Sequence, residues 1–300
     1  MVRNCSVTVL VLTYNHESLL GQTLDSIIAQ KVSNANLSII VIDDASTDGT
    51  RHVVEKYRNS YPELIKPKYY KSNQYQSGGA PEFPVMEEVD SDFIAFCDGD
   101  DYWLDQYKIE KQLEEFQRNE SLAIVHTDYF LGKIEQDDFK LIRRSEKDRK
   151  KAKDLTGSFD LVYGNEIKKS TAMYRKNFID FDFLRKCNGV RAQDWLVSVS
   201  ASANGGIFFF DEPTTVYRLS NNASFQSLTQ EERLQVKTEV RQFCSIHHPN
   251  KKLRNHFRRF MFKESFKKII RDSYIYSLFR PLVIMYRQVY WHNKSGSGVN

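Results

Sequence analysis

The chain has 300 residues, 41% hydrophobic and 27% charged, with a formal net charge of +4. That composition describes an ordinary globular protein, long enough for a full catalytic core plus a smaller appendage. Its four cysteines, Cys5, Cys97, Cys187 and Cys244, lie far apart without CxxC spacing, which excludes a zinc knuckle or a thioredoxin-type redox pair and points to reduced thiols in a cytosolic protein. The charge is uneven: residues 251 to 300 carry twelve Lys or Arg against Glu264 and Asp272, a local +10, so the first 250 residues sum to about −6.

In chain order, MVRNCSVTVLVLTYNHE at residues 1 to 17 has one basic residue and an apolar stretch too short to span a membrane. It is expected as a buried strand and not a signal peptide. VTVLVLTYN is apolar on both alternations, the pattern of a strand covered on both faces in a parallel sheet. Leu20, Leu24, Ile27 and Ile28 then share one face of a helix. LSIIVIDDAS repeats the buried-strand pattern, and STDGT at residues 46 to 50 supplies turn and cap residues before a helix carrying Val53, Val54 and Tyr57. A short strand near KPKYYK, a looser helix near residues 79 to 90, the strand DFIAFCDGDD, a helix with Ile109, Leu113 and Phe116, and the strand LAIVHTDYF follow.

Strands alternating with helices imply an α/β fold with a mostly parallel sheet, and in such sheets ligands bind outside the carboxyl ends of the strands. The unusual polar residues fall at those ends: Thr13, Tyr14 and Asn15, then Asp43 and Asp44, then Asp98, Asp100 and Asp101. Three strand ends marked in this way predict a single cleft. Within FCDGDDYW the three acids would repel one another unless solvent, a cation or a cationic partner relieves them. A divalent metal is the sharp reading; a helix cap would need only one Asp.

Residues 140 to 154, KLIRRSEKDRKKAKD, are charge-dense and are expected as a solvated loop, with a basic lid over an anionic substrate as the rival. STAMYRK and GGIFFFDEPTTVYR are expected as strands, with AQDWLVSVSASA a helix between them. After Ser220 the chain becomes helical and basic, which sets a boundary near residue 222 between a catalytic domain, 1 to 222, and an extension, 223 to 300. The extension's amphipathic pattern allows packing on the body or contact with an anionic membrane face. No nucleic-acid recognition motif accompanies the charge, so no nucleic-acid partner is expected. His247, His248 and His256 lack metal-ligand spacing, and His126 is expected in the core. The absence of GxxxxGK[ST] and GxGxxG argues against a P-loop nucleotidase and a dinucleotide enzyme.

VLVLTYNHESLLGQTLDSIIAQ, IIVIDDASTDGT, SNQYQSGGAPEF, FCDGDDYW, AQDWL and VYR at 216 to 218, in that order over residues 6 to 220, resemble the family 2 glycosyltransferases. The resemblance implies a GT-A nucleotide-sugar-binding fold and an inverting transferase that moves a sugar, with UDP-sugar the expected donor, to a glycan or lipid-linked acceptor in polysaccharide or surface-glycan assembly. It implies a Mn2+ or Mg2+ cofactor at the DXD-type cluster, with Asp101 and Asp100 on the metal and Asp98 and Asp100 on the donor. Thr13, Tyr14 and Asn15 would line the base pocket, Asp43 or Asp44 would accept a hydrogen bond from the base, and Gly78 and Gly79 would let the backbone approach the donor. Asp194 is the implied catalytic base, and Arg218 would steady phosphate or hold a loop. Asn165, Thr171, Gln193 and Trp195 fall on the acceptor side, although the bulky Trp103 and Trp195 suit packing better than sugar platforms. Two departures stand out: Gln193 replaces the family's common Glu before Asp194, and Ser220 stands where many relatives carry a His. The expected location is cytoplasmic, with the basic tail as a peripheral contact to the inner membrane face. Two other classes compete: a metal-dependent phosphoryl or nucleotidyl transferase, and a catalytically silent module that binds glycans or partners.

Overall fold

The opening strand, β1 (Cys5–Thr13), lies between two parallel neighbours and sends Val7, Val9 and Val11 to one face and Leu10 to the other. That is why both of its alternations are apolar. The structure is a computed structural model that describes residues 5–135, 138–187, 189–219 and 228–272. After β1 come α1 (Leu20–Ile28), β2 (Ala35–Asp43), α2 (Thr50–Ser60), β3 (Ile65–Tyr69), α3 (Glu82–Glu88), β4 (Phe93–Phe96), β5 (Tyr102–Trp103) and α4 (Lys108–Arg118). The second half holds β6 (Leu122–Glu135), β7 (Asp138–Arg143), α5 (Glu146–Lys153), β8 (Ala172–Arg175), α6 (Phe181–Leu184), α7 (Gln193–Ser202), β9 (Gly206–Arg218), α8 (Gln230–His247) and α9 (Lys251–Asp272).

The strands join in the order β3-β2-β1-β4-β8-β6-β9-β5, with β7 on β6. β3, β2, β1 and β4 are mutually parallel, and β6 is parallel to β9. β8 runs antiparallel between β4 and β6, so these six strands share one direction in a mostly parallel sheet. On one face Leu24 and Ile27 of α1 and Ile109, Leu113 and Phe116 of α4 pack against Val9 and Val11. On the other, Met86 of α3, Leu196 and Val199 of α7, and Val240, Leu253 and Phe257 of α8 and α9 pack around Ile94 and Phe96. The backbone pairing of β4 continues past its end: Cys97 N–H donates to Leu10 O at 3.1 Å and Gly99 N–H to Leu12 O at 2.8 Å. The acid-rich turn is therefore fixed to the carboxyl end of β1.

One expectation is revised, and one of two alternatives is met. Residues 140 to 154 are not a structureless loop: they finish the β6–β7 hairpin and form α5, which Ser145 caps by accepting from Asp148 N–H. The anchor is Arg144, buried and ion-paired with the buried Asp128 at 3.2 Å, a long-range partner that the local charge density conceals. The described part of the C-terminal extension packs on the body. Arg241 of α8 donates to the carbonyls of Val162 and Tyr163, and Arg191 pairs with Glu239. The boundary near residue 222, Ser220 and the tail beyond Asp272 lie outside the described residues. Among the described residues no helix is long and apolar enough to cross a membrane.

Candidate active site

The site is built on the turn after β4. Asp98 C=O accepts from Asp101 N–H at 2.9 Å, closing the turn. Thr23 of α1 donates its hydroxyl to the carbonyls of Gly99 and Asp101. Ser170, just before β8, accepts from Asp98 N–H at 3.0 Å and donates to Asp101 Oδ2 at 2.6 Å. Arg218, at the end of β9, donates its backbone N–H to Asp101 Oδ1 at 3.0 Å and its guanidinium to Asp100 O at 2.6 Å and to Gln22. Gly99 has no room for a side chain: a Cβ there would meet Thr13 Oγ1 at 2.7 Å and His16 Nδ1 at 2.8 Å. The turn is thus clamped by α1, β8 and β9 together.

Electrostatics follow from that crowding. Burial, with the charges of Asp100 and Asp98 next, pushes the Asp101 carboxyl well above its usual range. Burial raises Asp98 to about 6, although the Lys169 ammonium opposes the shift. Lys169 Nζ lies 2.7 Å from Glu82 Oε1 and 3.6 Å from Asp98 Oδ1, and the other Glu82 oxygen is buried without a hydrogen-bond partner. Asp194 opens α7, where the helix dipole favours an anion. Asn165 Nδ2 donates to its Oδ2 at 3.1 Å. Burial raises the Asp194 carboxyl, and Lys168 and then Lys169 pull it back down. An acid cluster and a separate half-buried carboxylate thus lie within electrostatic reach of a common pair of lysines.

The structure brings Asp98, Asp100, Asp101, Asp194, Asn165 and Arg218 to this centre, with Arg218 holding the loop. Gln193 supports it from behind: its Nε2 reaches Gly78 O at 3.4 Å, while Gly78, at φ 83°, packs on Gly189, where a Cβ would stand 3.2 Å from the Gly189 Cα. Gly79 N–H closes the same loop on Gln74 O at 2.8 Å. Four of the residues expected at the donor are engaged within the protein. Thr13 is buried under Gly99 against His16. Asp43 is fully buried, paired with Arg51 at 2.6 Å, and accepts from Ser46 N–H. Both Asp44 oxygens already accept from the N–H groups of Gln74 and Tyr75. Asn15, at φ 55°, staples Ser46 and Thr47. These contacts hold the strand-end loops in place, since each loop must satisfy its own backbone groups, and Tyr14 among them is half-buried. On the acceptor side, Thr171 is buried with its hydroxyl on Lys168 O, and Trp195 is a core residue whose indole donates to Leu161 O.

Sequence reading missed Lys168, Lys169, Glu82, Ser170, Thr23 and His16. His16, Thr23 and Glu82 lie inside the quoted motifs and Lys168, Lys169 and Ser170 outside them, but the roles of all six depend on β8 and α1 meeting the β4 turn. Could the acids hold a divalent cation? Among the described residues no three acidic, His or Cys side chains form a ready metal-binding group. Yet the mutually repelling carboxylates of the buried Asp101 and the half-buried Asp98 and Asp100 are hard oxygen donors, and no hydrogen bond to the Asp100 carboxylate occurs among the described residues. They fit a cation that takes one or two carboxylates and completes its shell with substrate phosphates.

Comparison with known proteins agrees with this architecture. The sequence profile described as Glycosyl transferase family 2 matches residues 8–179. An uncharacterized protein of Mycobacterium tuberculosis is 26% identical over 216 residues, 71% of this chain and 58% of that protein. The chain thus spans less than two thirds of that relative's length. The putative teichuronic acid biosynthesis glycosyltransferase TuaG of Bacillus subtilis is 35% identical over 126 residues, 42% of this chain and 47% of that protein. Among solved structures, TarS residues 1–349 of S. aureus in complex with UDP-GlcNAc superimposes with a TM-score of 0.60 at 20% identity, covering 91% of this chain and 75% of that one. The mannosyltransferase PcManGT of Pyrobaculum calidifontis, bound to GDP-Man and Mn2+, gives 0.53 at 16% identity over 80% of this chain and 62% of that one. At such identities the likeness is one of fold, the GT-A fold.

Proposed function

The chain belongs to glycosyl transferase family 2, and from that premise we propose that it moves a sugar, with inversion, from a nucleotide-diphosphate donor to a glycan or lipid-linked acceptor in cell-surface polysaccharide assembly. The observation that supports the reading is that Asp194 and the clamped Asp98–Asp101 turn lie within electrostatic reach of the same two lysines, Lys168 and Lys169. One carboxylate is set apart as a base while a separate cluster is available to a diphosphate.

In the proposed reaction Asp194 takes the proton of the acceptor hydroxyl as that oxygen attacks the anomeric carbon. Asn165 fixes one oxygen of Asp194, which orients the other for the proton. A divalent cation held by Asp101 and Asp100 would neutralise charge on the diphosphate. Asp98, paired with Lys169, would border the donor, and Tyr14 would stack on the base. UDP is the expected nucleotide of the donor; TarS, of the same fold, binds UDP-GlcNAc, and PcManGT binds GDP-Man. Contact of the basic tail with a membrane surface belongs to the same proposal, as does a cytoplasmic location.

The test is nucleoside diphosphate release from a panel of UDP-, GDP- and dTDP-sugars with Mn2+ or Mg2+, alongside Asp101→Ala and Asp194→Ala. Slow hydrolysis of one donor that needs the cation and Asp101 supports the reading. Release of inorganic phosphate, or donor turnover indifferent to both substitutions, overturns it.

A further inference from the structure

Two adjacent lysines enter the acid-rich centre and behave differently. Lys169 is spent on two carboxylates, Glu82 at 2.7 Å and Asp98 at 3.6 Å. Lys168, half-buried, sets its Nζ 4.3 Å from the centroid of the Tyr217 ring. Among the described residues no carboxylate comes within 4.0 Å of the Lys168 ammonium. Its backbone is fixed: Lys168 C=O accepts from Thr171 N–H at 2.9 Å and from Thr171 Oγ1 at 2.7 Å. Two residues on, Ser170 is bonded to Asp98 and Asp101. The ammonium lies within electrostatic reach of Asp194 and Asp101 without an ion pair to either, beside an aromatic face that attracts cations but satisfies none of their hydrogen bonds.

A half-buried ammonium with three donors and no anion in contact is costly in isolation, and an incoming anion would relieve it. Burial lowers its proton affinity even though Asp194, Asp101 and Asp98 oppose the shift. Among the described residues the Asp101 oxygens already accept from Ser170 and Arg218, and one Asp194 oxygen accepts from Asn165.

We propose that Lys168 binds the β-phosphate of the donor and takes up the charge of the departing nucleoside diphosphate, as a further catalytic residue of the transfer. The inference rests on the glycosyltransferase reading given above. In that step the bond between the anomeric carbon and the β-phosphate oxygen breaks and its electron pair stays on that oxygen. The bond to the acceptor oxygen forms, and the acceptor proton passes to Asp194. Lys168 keeps its own proton throughout and acts by charge and hydrogen bonding.

The test is calorimetric titration of the full chain with UDP, UMP, GDP and GMP in Mn2+, comparing wild type with Lys168→Met, Lys168→Gln and Lys168→Arg. Melting curves would identify any variant that fails to fold. The expected result is that Met and Gln weaken the diphosphate nucleotide about tenfold or more while the monophosphate changes less than about twofold, and that Arg restores most of the loss. Diphosphate affinity within about twofold of wild type in either neutral variant overturns the inference, even if turnover falls, because Lys168 would then act only through Asp194. If wild type binds none of the four nucleotides and not dTDP either, the glycosyltransferase reading fails and the inference fails with it, an outcome distinct from the previous one.

Discussion

The backbone N–H of Arg218 donates to Asp101 Oδ1 at 3.0 Å, joining residues 117 positions apart. Ser170 Oγ donates to the other oxygen. The buried carboxylate is therefore a joint between β9, β8 and the β4 turn as well as a candidate cation ligand. The two roles separate by substitution. Asp101→Asn can still accept from Arg218 and bond Ser170, so it should melt close to wild type while losing Mn2+-dependent UDP binding. Asp101→Ala leaves both donors buried and unpaired, at a cost of roughly 1–3 kcal/mol for each. Thermal unfolding with and without Mn2+ checks both; equal melting of the two variants would remove the joint.

Asp194→Asn should lower kcat by about 10²- to 10⁴-fold and leave UDP affinity unchanged, measured by diphosphate release and titration. The base must be ionised, and burial raises its carboxyl despite Lys168 and Lys169. Activity should therefore fall with decreasing pH along a limb that lies above the usual carboxylate range. A limb at or below that range would show that Asp194 is not the base.

Gly99→Ala drives a Cβ to 2.7 Å from Thr13 Oγ1 and 2.8 Å from both Thr13 Cβ and His16 Nδ1. Overpacking of this kind costs about 1–3 kcal/mol and would displace the acids on either side. Gly157→Ala, whose Cβ meets nothing within 4 Å, is the control. Denaturant titration should show the first destabilised and the second not.

Phe257, fully buried from α9 into the core that contains Trp195 and Phe243, tests the coupling of the C-terminal helices to the body. Phe257→Ala should cost about 3–5 kcal/mol and shift one cooperative transition. A separate low-temperature transition, with the main one unmoved, would instead mean that the helices are an independent unit.

Lys108 is buried, with Nζ on Gln112 Oε1 at 2.8 Å and 4.3 Å over the Trp103 ring. Burial lowers it from 10.5 to about 7. Between those two values the unfolded chain holds a proton that the folded chain has released, so this lysine makes stability rise with pH from about 7 towards 10. Lys108→Met removes that dependence. The difference in unfolding free energy between wild type and Lys108→Met should therefore vary with pH across this window; a constant difference would show that the lysine does not titrate there.

How much of this was legible beforehand depends on whether the cause was local. The buried strands β1 and β2, the amphipathic α1 and α4, and acids gathered at strand ends are written in periods of two and 3.6 and in short motifs, because backbone geometry alone puts those side chains on one face or at one edge. The order of FCDGDDYW, AQDWL and VYR pointed to the family, and Asp194 and the Asp98–Asp101 turn do share one centre. What the sequence left open are the pairings across the sheet. Arg144 looked like part of a solvated run because Asp128, which buries it, lies 16 residues away. No local motif announced that Arg51, Gln74, Tyr75 and Thr47 would donate to the oxygens of Asp43, Asp44 and Asn15. The difference between Lys168 and Lys169, identical neighbours in the chain, was decided only when the turn before β8 docked on the β4 loop and sent one ammonium to Glu82 and the other to Tyr217. Local periodicity sets which residues face a core or an edge, but the partner of a charge is whichever group the folded chain brings within a few ångströms, and Coulomb and hydrogen-bond energies are settled at that distance.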